Sequence, residues 1–202
     1  MMKKIITYDG LLDINLEDET VSNTLYEGVQ KKIKLKNVTF EDCIFKNVDF
    51  NEIEFDGVDF INVIFENCDL SNKHFDERLI KEVLFKNCKL IGSTFIDSFI
   101  KNTEFTNVSA RYINMAGAKI NNMKISNSDF SDSSFIETKI KNLDLSEVKF
   151  TKAEFLKALL NGVDFSSSDI TDVMFDVMSV KGMIINEFQC IDLIHLLGVM
   201  VK

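Results

Sequence analysis

The sequence predicts an all-β solenoid built on a five-residue period, and two observations carry that expectation. From Leu35 to Ile185 every fifth residue is apolar and of inward type, with no insertion or deletion, as in Phe40, Phe45, Phe50, Phe55, Phe60 and Phe65. Two residues ahead of most members stands a small or aliphatic residue, such as Val38, Cys43, Val48, Val63, Cys68, Ser93, Ala118 or Ser168. A period of five fits neither a helix at 3.6 nor a flat strand at 2.0, so the chain turns a corner once per repeat. One large and one small inward residue per repeat fill a narrow tube. The absence of proline in 202 residues agrees, because a coil-on-coil ladder uses nearly every backbone N–H.

The units read as KNVDF at 46–50, DGVDF at 56–60, ENCDL at 66–70 and SNSDF at 126–130. They resemble the pentapeptide-repeat family. That resemblance implies a right-handed quadrilateral β-helix in which four pentapeptides make one square coil, so residues twenty apart stack about 4.8 Å above one another. Interior columns follow, such as Leu35, Phe55, Phe75, Phe95 and Phe45, Phe65, Phe85, Phe105. Each buried Phe contributes roughly 1.5–3 kcal/mol of transfer free energy. An outer column of Asn47, Asn67, Asn87, Asn107 and Asn127 reads as a corner ladder, each amide bonding the next.

Taken in order, residues 1–30 read as an N-terminal cap of short strands, because Ile6, Leu11, Leu16, Val21 and Tyr26 lie five apart in a shifted frame and Glu17, Asp18 and Glu19 make an acidic tip. Residues 31–185 form the β-helix, about eight coils and about 37 Å long. Within it, 71–84 puts Lys73 and Arg78 at the small inward position. A lone buried cation is costly, so the wall is expected to bulge there and both side chains to turn outward. A second lapse places Arg111 and Tyr112 at a corner near Ala110. In 186–202, Asn186 caps a helix from Glu187 through Leu197, Gly198 stops it, and Val199, Met200 and Val201 form a short strand.

The net charge is −9, unevenly spread. One face collects Asp49, Glu52, Asp69, Asp129, Asp132, Asp169 and Asp172; its neighbour adds Glu54, Asp56, Asp76, Glu77, Asp97, Glu137, Glu154 and Asp176. The opposed face carries Lys81, Lys101, Lys141 and Lys181 in one column, with Lys119 and Lys139 beside it. Solvation accounts for charged outer faces on any solenoid. An acidic strip imitating nucleic acid is the sharper reading, and the density of about one charge per 4 Å, against one per roughly 1.7 Å of duplex, makes that imitation partial.

No catalytic constellation is present: His74 and His195 are far apart, no glycine-rich phosphate loop occurs, and the stacked carboxylates face solvent. No cofactor or metal site is expected. Cys43, Cys68, Cys88 and Cys190 lack metal spacing and read as reduced. With no signal peptide or spanning segment, the sequence reads as cytoplasmic, with no membrane contact. The net negative charge disfavours direct nucleic-acid binding.

The ending NEFQCIDLIHLLGVMVK, through Phe188, Gln189, Leu193, Ile194, Leu197, Gly198 and Val199, resembles that of the quinolone-resistance (Qnr-like) branch. This implies a homodimer held by Phe188, Leu193, Ile194, Leu197, Val199 and Val201, and a DNA-like rod that binds DNA gyrase or a related type II topoisomerase. The implied function is non-enzymatic modulation of that enzyme, with quinolone or peptide-toxin resistance as its outcome. A scaffold that binds another protein through 71–84 or the N-terminal cap is the alternative.

Overall fold

Twenty residues make one coil, and the coils pair in parallel. In the computed structural model, which describes residues 6–7, 15–28 and 32–200, Phe45 stands opposite Phe65, Phe65 opposite Phe85, Phe85 opposite Phe105, Phe105 opposite Ile125 and Ile125 opposite Leu145. The neighbouring face repeats the register from Phe40 through Phe60, Ile80, Ile100 and Ile120 to Ile140. Most strands are three or four residues long, but Phe99–Thr106, Lys119–Asp129 and Lys139–Lys149 run continuously around corners. The fold is a parallel β-solenoid, as the five-residue period requires.

Two inward residues per repeat form the core. Phe40, Phe45, Phe50, Phe60, Phe65, Phe75, Phe85 and Phe95 are fully buried. Their rings stack coil on coil: Phe65 and Phe85 at 5.1 Å and 3°, Phe75 and Phe95 at 4.5 Å and 12°, Phe135 and Phe155 at 4.7 Å and 4°. Offset stacking at these separations adds to the value of burial alone. Cys68 and Cys88 are free thiols in the small-residue column, donating to the carbonyls of Phe45 and Phe65. Contact with Cys88 and then burial push the Cys68 thiol up. Both thiols are buried away from solvent.

The corners explain the polar half of the repeat. Asn47, Asn67, Asn87, Asn107 and Asn127 all adopt left-handed backbone, φ between 48° and 54°, a conformation that asparagine tolerates better than most residues. From Asn47 to Asn107 their amides form the expected ladder: Asn67 Nδ2 donates to Asn47 Oδ1 at 3.1 Å, Asn87 to Asn67 at 3.1 Å and Asn107 to Asn87 at 2.7 Å; Asn127 keeps the corner backbone, but no amide bond joins it to Asn107.

Short strands occur in the N-terminal segment, and they stack onto the first full coil. Leu16 pairs with Leu35, Val21 with Phe40 and Tyr26 with Phe45, a register of nineteen where the rest of the tube uses twenty. The shifted frame is therefore a one-residue slip within the same tube. Ile6 pairs with Thr24; Leu11 lies outside the described residues.

The expected disturbance at 71–84 is a break in one ladder. The sheet of Leu16–Glu17, Ile33–Lys36 and Ile53–Asp56 ends at its third strand, and among the described residues no bridge joins Glu54 to His74. Phe55 and Phe75 consequently meet edge to face, at 74°. Lys73 does not leave the wall. It is half-buried, with its Nζ donating to Asn51 O at 3.2 Å and Ile53 O at 2.9 Å, so it caps carbonyls that the missing ladder leaves free. Arg78 is likewise half-buried and donates to Asp76 O. The outward turn expected of both side chains is corrected on this point. Backbone carbonyls offered the cations partners, so burial without a carboxylate became tolerable.

The C-terminal element is shorter than expected. Its helix spans Cys190–Ile194 and tightens into a 3-10 turn at His195–Leu197. Asn186 does act as a cap: its Oδ1 accepts from Phe188 N and Gln189 N, while Gln189 Oε1 accepts from Asn186 N at 2.9 Å. This reciprocal box precedes the regular helix because the Gln189 side chain is held inward on the last coil. Gly198 ends the element in left-handed backbone, φ 72°. Val199 and Met200 form no strand, since among the described residues no neighbouring strand pairs with them; Val201 lies outside the described residues.

Candidate functional site

Aspartate recurs on one face for a local reason. Asp49, Asp69, Asp129 and Asp169 each accept, through Oδ1, the backbone N–H two residues on: Asn51 at 2.9 Å, Ser71 at 3.1 Å, Ser131 at 3.0 Å and Thr171 at 2.9 Å. One carboxylate oxygen thus closes the turn; the second oxygen of Asp169 accepts from the Thr151 hydroxyl at 3.0 Å, and that of Asp69 lies 3.5 Å from Lys89. The backbone N–H of Thr171 holds Asp169 below the usual carboxylate range. Asp69 is also held low, burial being outweighed by its bonds to Ser71 and by Lys89.

The seven acidic residues do share a face, as the twenty-residue repeat requires, but they do not form an unbroken strip. Read along the tube, the column is Asp49, Asp69, Lys89, Ser109, Asp129, Lys149, Asp169. Lys89 pairs with Asp69 at 3.5 Å, and Arg111 reaches Asp132 at 3.2 Å. Two carboxylate groups result, Asp49 with Glu52 at one end and Asp169 with Asp172 at the other; between them Asp69 and Asp132 are ion-paired and Asp129 stands opposite Lys149. The lysines were visible in the sequence, yet only the stacking shows that they interrupt the column.

The tube's C-terminal end is closed from within and apolar outside. Gln189, almost fully buried, plugs the last coil by donating its Nε2 to Phe165 O at 2.9 Å and Ser168 O at 2.7 Å. Leu193 and Leu196 pack against the core. Ile194 is half-buried. By contrast Phe188 is 78 %, Leu197 74 % and Met200 87 % exposed, and Ile191 and Val199 are exposed beside them. Residues expected in one interface therefore divide: Leu193 covers the coil, while Phe188, Leu197 and Val199 face away from it. Ile191 and Met200 extend that outward surface.

Among the described residues no group of three or more His, Cys, Asp or Glu side chains is placed to hold a metal ion. His74 is exposed beside Thr94 Oγ1 at 2.9 Å, and His195 sits at the far end of the tube, next to a cleft of about 510 Å³ that also touches Asp172 and Asp192. No helix among the described residues is long and apolar enough to cross a membrane.

Two family models match, one described as pentapeptide repeat region over residues 58–129 and one as pentapeptide repeats over 33–72, 113–151 and 128–166. Together they run without a gap from 33 to 166. The chain is a pentapeptide-repeat protein. No curated protein sequence matches this pentapeptide-repeat chain. Among solved structures it is similar to full-length QnrB1, a plasmid-mediated fluoroquinolone resistance protein, at 14 % identity over 89 % of this chain and 100 % of that one, TM-score 0.41. It is also similar to HetL of the cyanobacterium Nostoc, involved in heterocyst differentiation regulation, at 13 % identity over 86 % and 90 % of the two chains, TM-score 0.40. A pentapeptide-repeat protein from the Arabidopsis thaliana thylakoid lumen matches at 18 % identity over 49 % of this chain and 66 % of that one, TM-score 0.35.

Proposed function

We propose that this pentapeptide-repeat protein is a non-enzymatic dimer that occupies the DNA-binding surface of a type II topoisomerase such as DNA gyrase. The observation that carries this reading is the combination, on one tube, of an outward carboxylate face in a fixed repeat and an unpartnered apolar end. Gln189, Leu193 and Leu196 already close the last coil, but the apolar outer side of that element stays exposed. A two-fold contact through Phe188, Leu197 and Val199 covers both copies at once. The resulting rod is about 75 Å long, roughly two turns of duplex. Asp49, Glu52, Asp169 and Asp172 stand in for phosphates toward arginines and lysines of the enzyme. Asp69 and Asp132, already ion-paired, contribute less than their number suggests; Asp129, opposite Lys149, is partly offset.

Supercoiling by purified gyrase, with the protein titrated in and with or without ciprofloxacin, tests the reading. Inhibition, or rescue from the drug, at low micromolar protein is the expected result. Reversal of Asp129, Asp132 and Asp169 to Lys should weaken gyrase binding at low salt, since phosphate-like contacts are screened by salt. Unchanged affinity in that triple variant would sink the mimic strip. No effect of the parent on supercoiling would leave a protein-binding scaffold, favoured by the broken ladder and the groove of about 320 Å³ that Lys34, Glu54, Phe55, Lys73 and His74 line there.

A further inference from the structure

Opposite the aspartate face lies one of contrary character. Its interior residues are Ile80, Ile100, Ile120 and Ile140, and outside it carries two columns. One reads Leu79, Phe99, Lys119, Lys139, and Leu159 follows through its amide bond to Thr138 O. The other reads Lys81, Lys101, Asn121, Lys141. Lys101, Lys119, Lys139 and Lys141 are exposed, and among the described residues none has a carboxylate within ion-pair distance. Lys119 instead lies 4.6 Å over the ring of Phe99. Phe99 is 48 % and Leu159 62 % exposed, so apolar groups bracket the lysines at both ends. The acids at the flanking corners are Glu82, engaged with Lys81 at 3.6 Å, on one side, and Glu77, Asp97 and Glu137, the last engaged with Lys157 at 2.8 Å, on the other.

We propose that this face docks an acidic amphipathic helix of a protein partner, laid along the tube axis. Three features select that occupant. Lysines rise by one coil, about 4.8 Å, close to the 5.4 Å pitch at which a helix presents carboxylates at i, i+3 or i+4, and i+7. The two columns stand about 7 Å apart; the corner beside the Lys119 column carries Glu77, Asp97 and Glu137, and the corner on the other side Asn102, Asn122 and Asn142, so the strip suits one body about 10 Å wide. A duplex or a membrane plane would overlap those acids. From Leu79 to Leu159 the strip spans about 19 Å, the length of about thirteen helical residues, with apolar contacts at its ends and ionic ones between. Strand addition is closed to the partner, because the ladder bonds of this face are already made coil to coil. The site needs neither the aspartate face nor the C-terminal end, so its occupancy is independent of the topoisomerase reading.

Fluorescence anisotropy on the full chain tests it. The probe is a labelled, helix-stapled peptide of about fourteen residues, with Glu at i, i+4 and i+7 and Leu at both ends. Controls are a scrambled peptide of the same composition and an oligo-deoxythymidine of equal charge. The stapled helix should bind, and the scrambled peptide and the oligonucleotide should bind at least about tenfold more weakly. Lys139→Glu with Lys141→Glu should cost at least about tenfold, as should Lys101→Glu with Lys119→Glu, each pair checked for an unchanged circular dichroism melt. Two pairs are used so that a folding failure in one leaves the other decisive. Absence of binding at about 1 mM, equal binding of either control, or full binding by a folded reversed variant overturns the proposal.

Discussion

A corner asparagine carries two duties at once, since it accepts left-handed backbone and links coils through its amide. Asn87 shows both, bonded to Asn67 below and Asn107 above. Asn87→Ala should therefore destabilise by about 2 kcal/mol, from backbone strain plus two lost amide bonds, read as a lowered urea midpoint. Asn87→Gly keeps the backbone and should cost clearly less. The turn aspartates make a second residue-scale prediction. Asp169 is held below the ordinary carboxylate value, so the stability that it contributes is present above the unfolded pKa of about 3.9 and is lost as pH falls through the folded value. The melting temperature should hold from neutral pH to about 5 and fall below about 4, and Asp169→Asn should flatten that fall. Asparagine and aspartate were readable from the repeat. The bonds of Lys73 to Asn51 O and Ile53 O were not, because they exist only where a ladder is missing.

At the scale of the element, the C-terminal helix has an inner and an outer side, and the two should separate on mutation. Leu197→Asp lies on the exposed side. It should abolish the dimer in sedimentation equilibrium while leaving the melt of the tube unchanged. Leu193→Asp buries a charge against the last coil and should lower the melting temperature as well. A dimer that survives Leu197→Asp would place the interface elsewhere. Gln189→Ala removes two donors from Phe165 O and Ser168 O. It should cost about 1–3 kcal/mol, seen as faster amide exchange confined to the last coil. The sequence pointed to Gln189 only through its place beside Phe188 in a resemblance. Its role as a plug depends on where the coil ends in space.

For the molecule as a whole, charge is organised by face. The total of −9 hides an aspartate face crossed by Lys89 and Lys149 and a lysine face free of ion pairs at Lys101, Lys119, Lys139 and Lys141. If both proposals hold, salt should weaken the proposed gyrase contact through the first face and the proposed helix contact through the second by separate amounts, which a reversal on either face would remove alone. The sequence by itself determined the period, the identity of the inward residues from Leu35 to Ile185, the asparagine corners and the grouping of charges by face. These follow from local chemistry repeated at a constant interval, so one unit predicts the next. Only the tertiary structure decided where the ladder breaks, how far the helix extends, which apolar C-terminal residues cover the coil and which remain outside, and which carboxylates are already paired. Those outcomes turn on contacts between residues about twenty apart and on the end of the stack, where the repeat has no next coil to satisfy it.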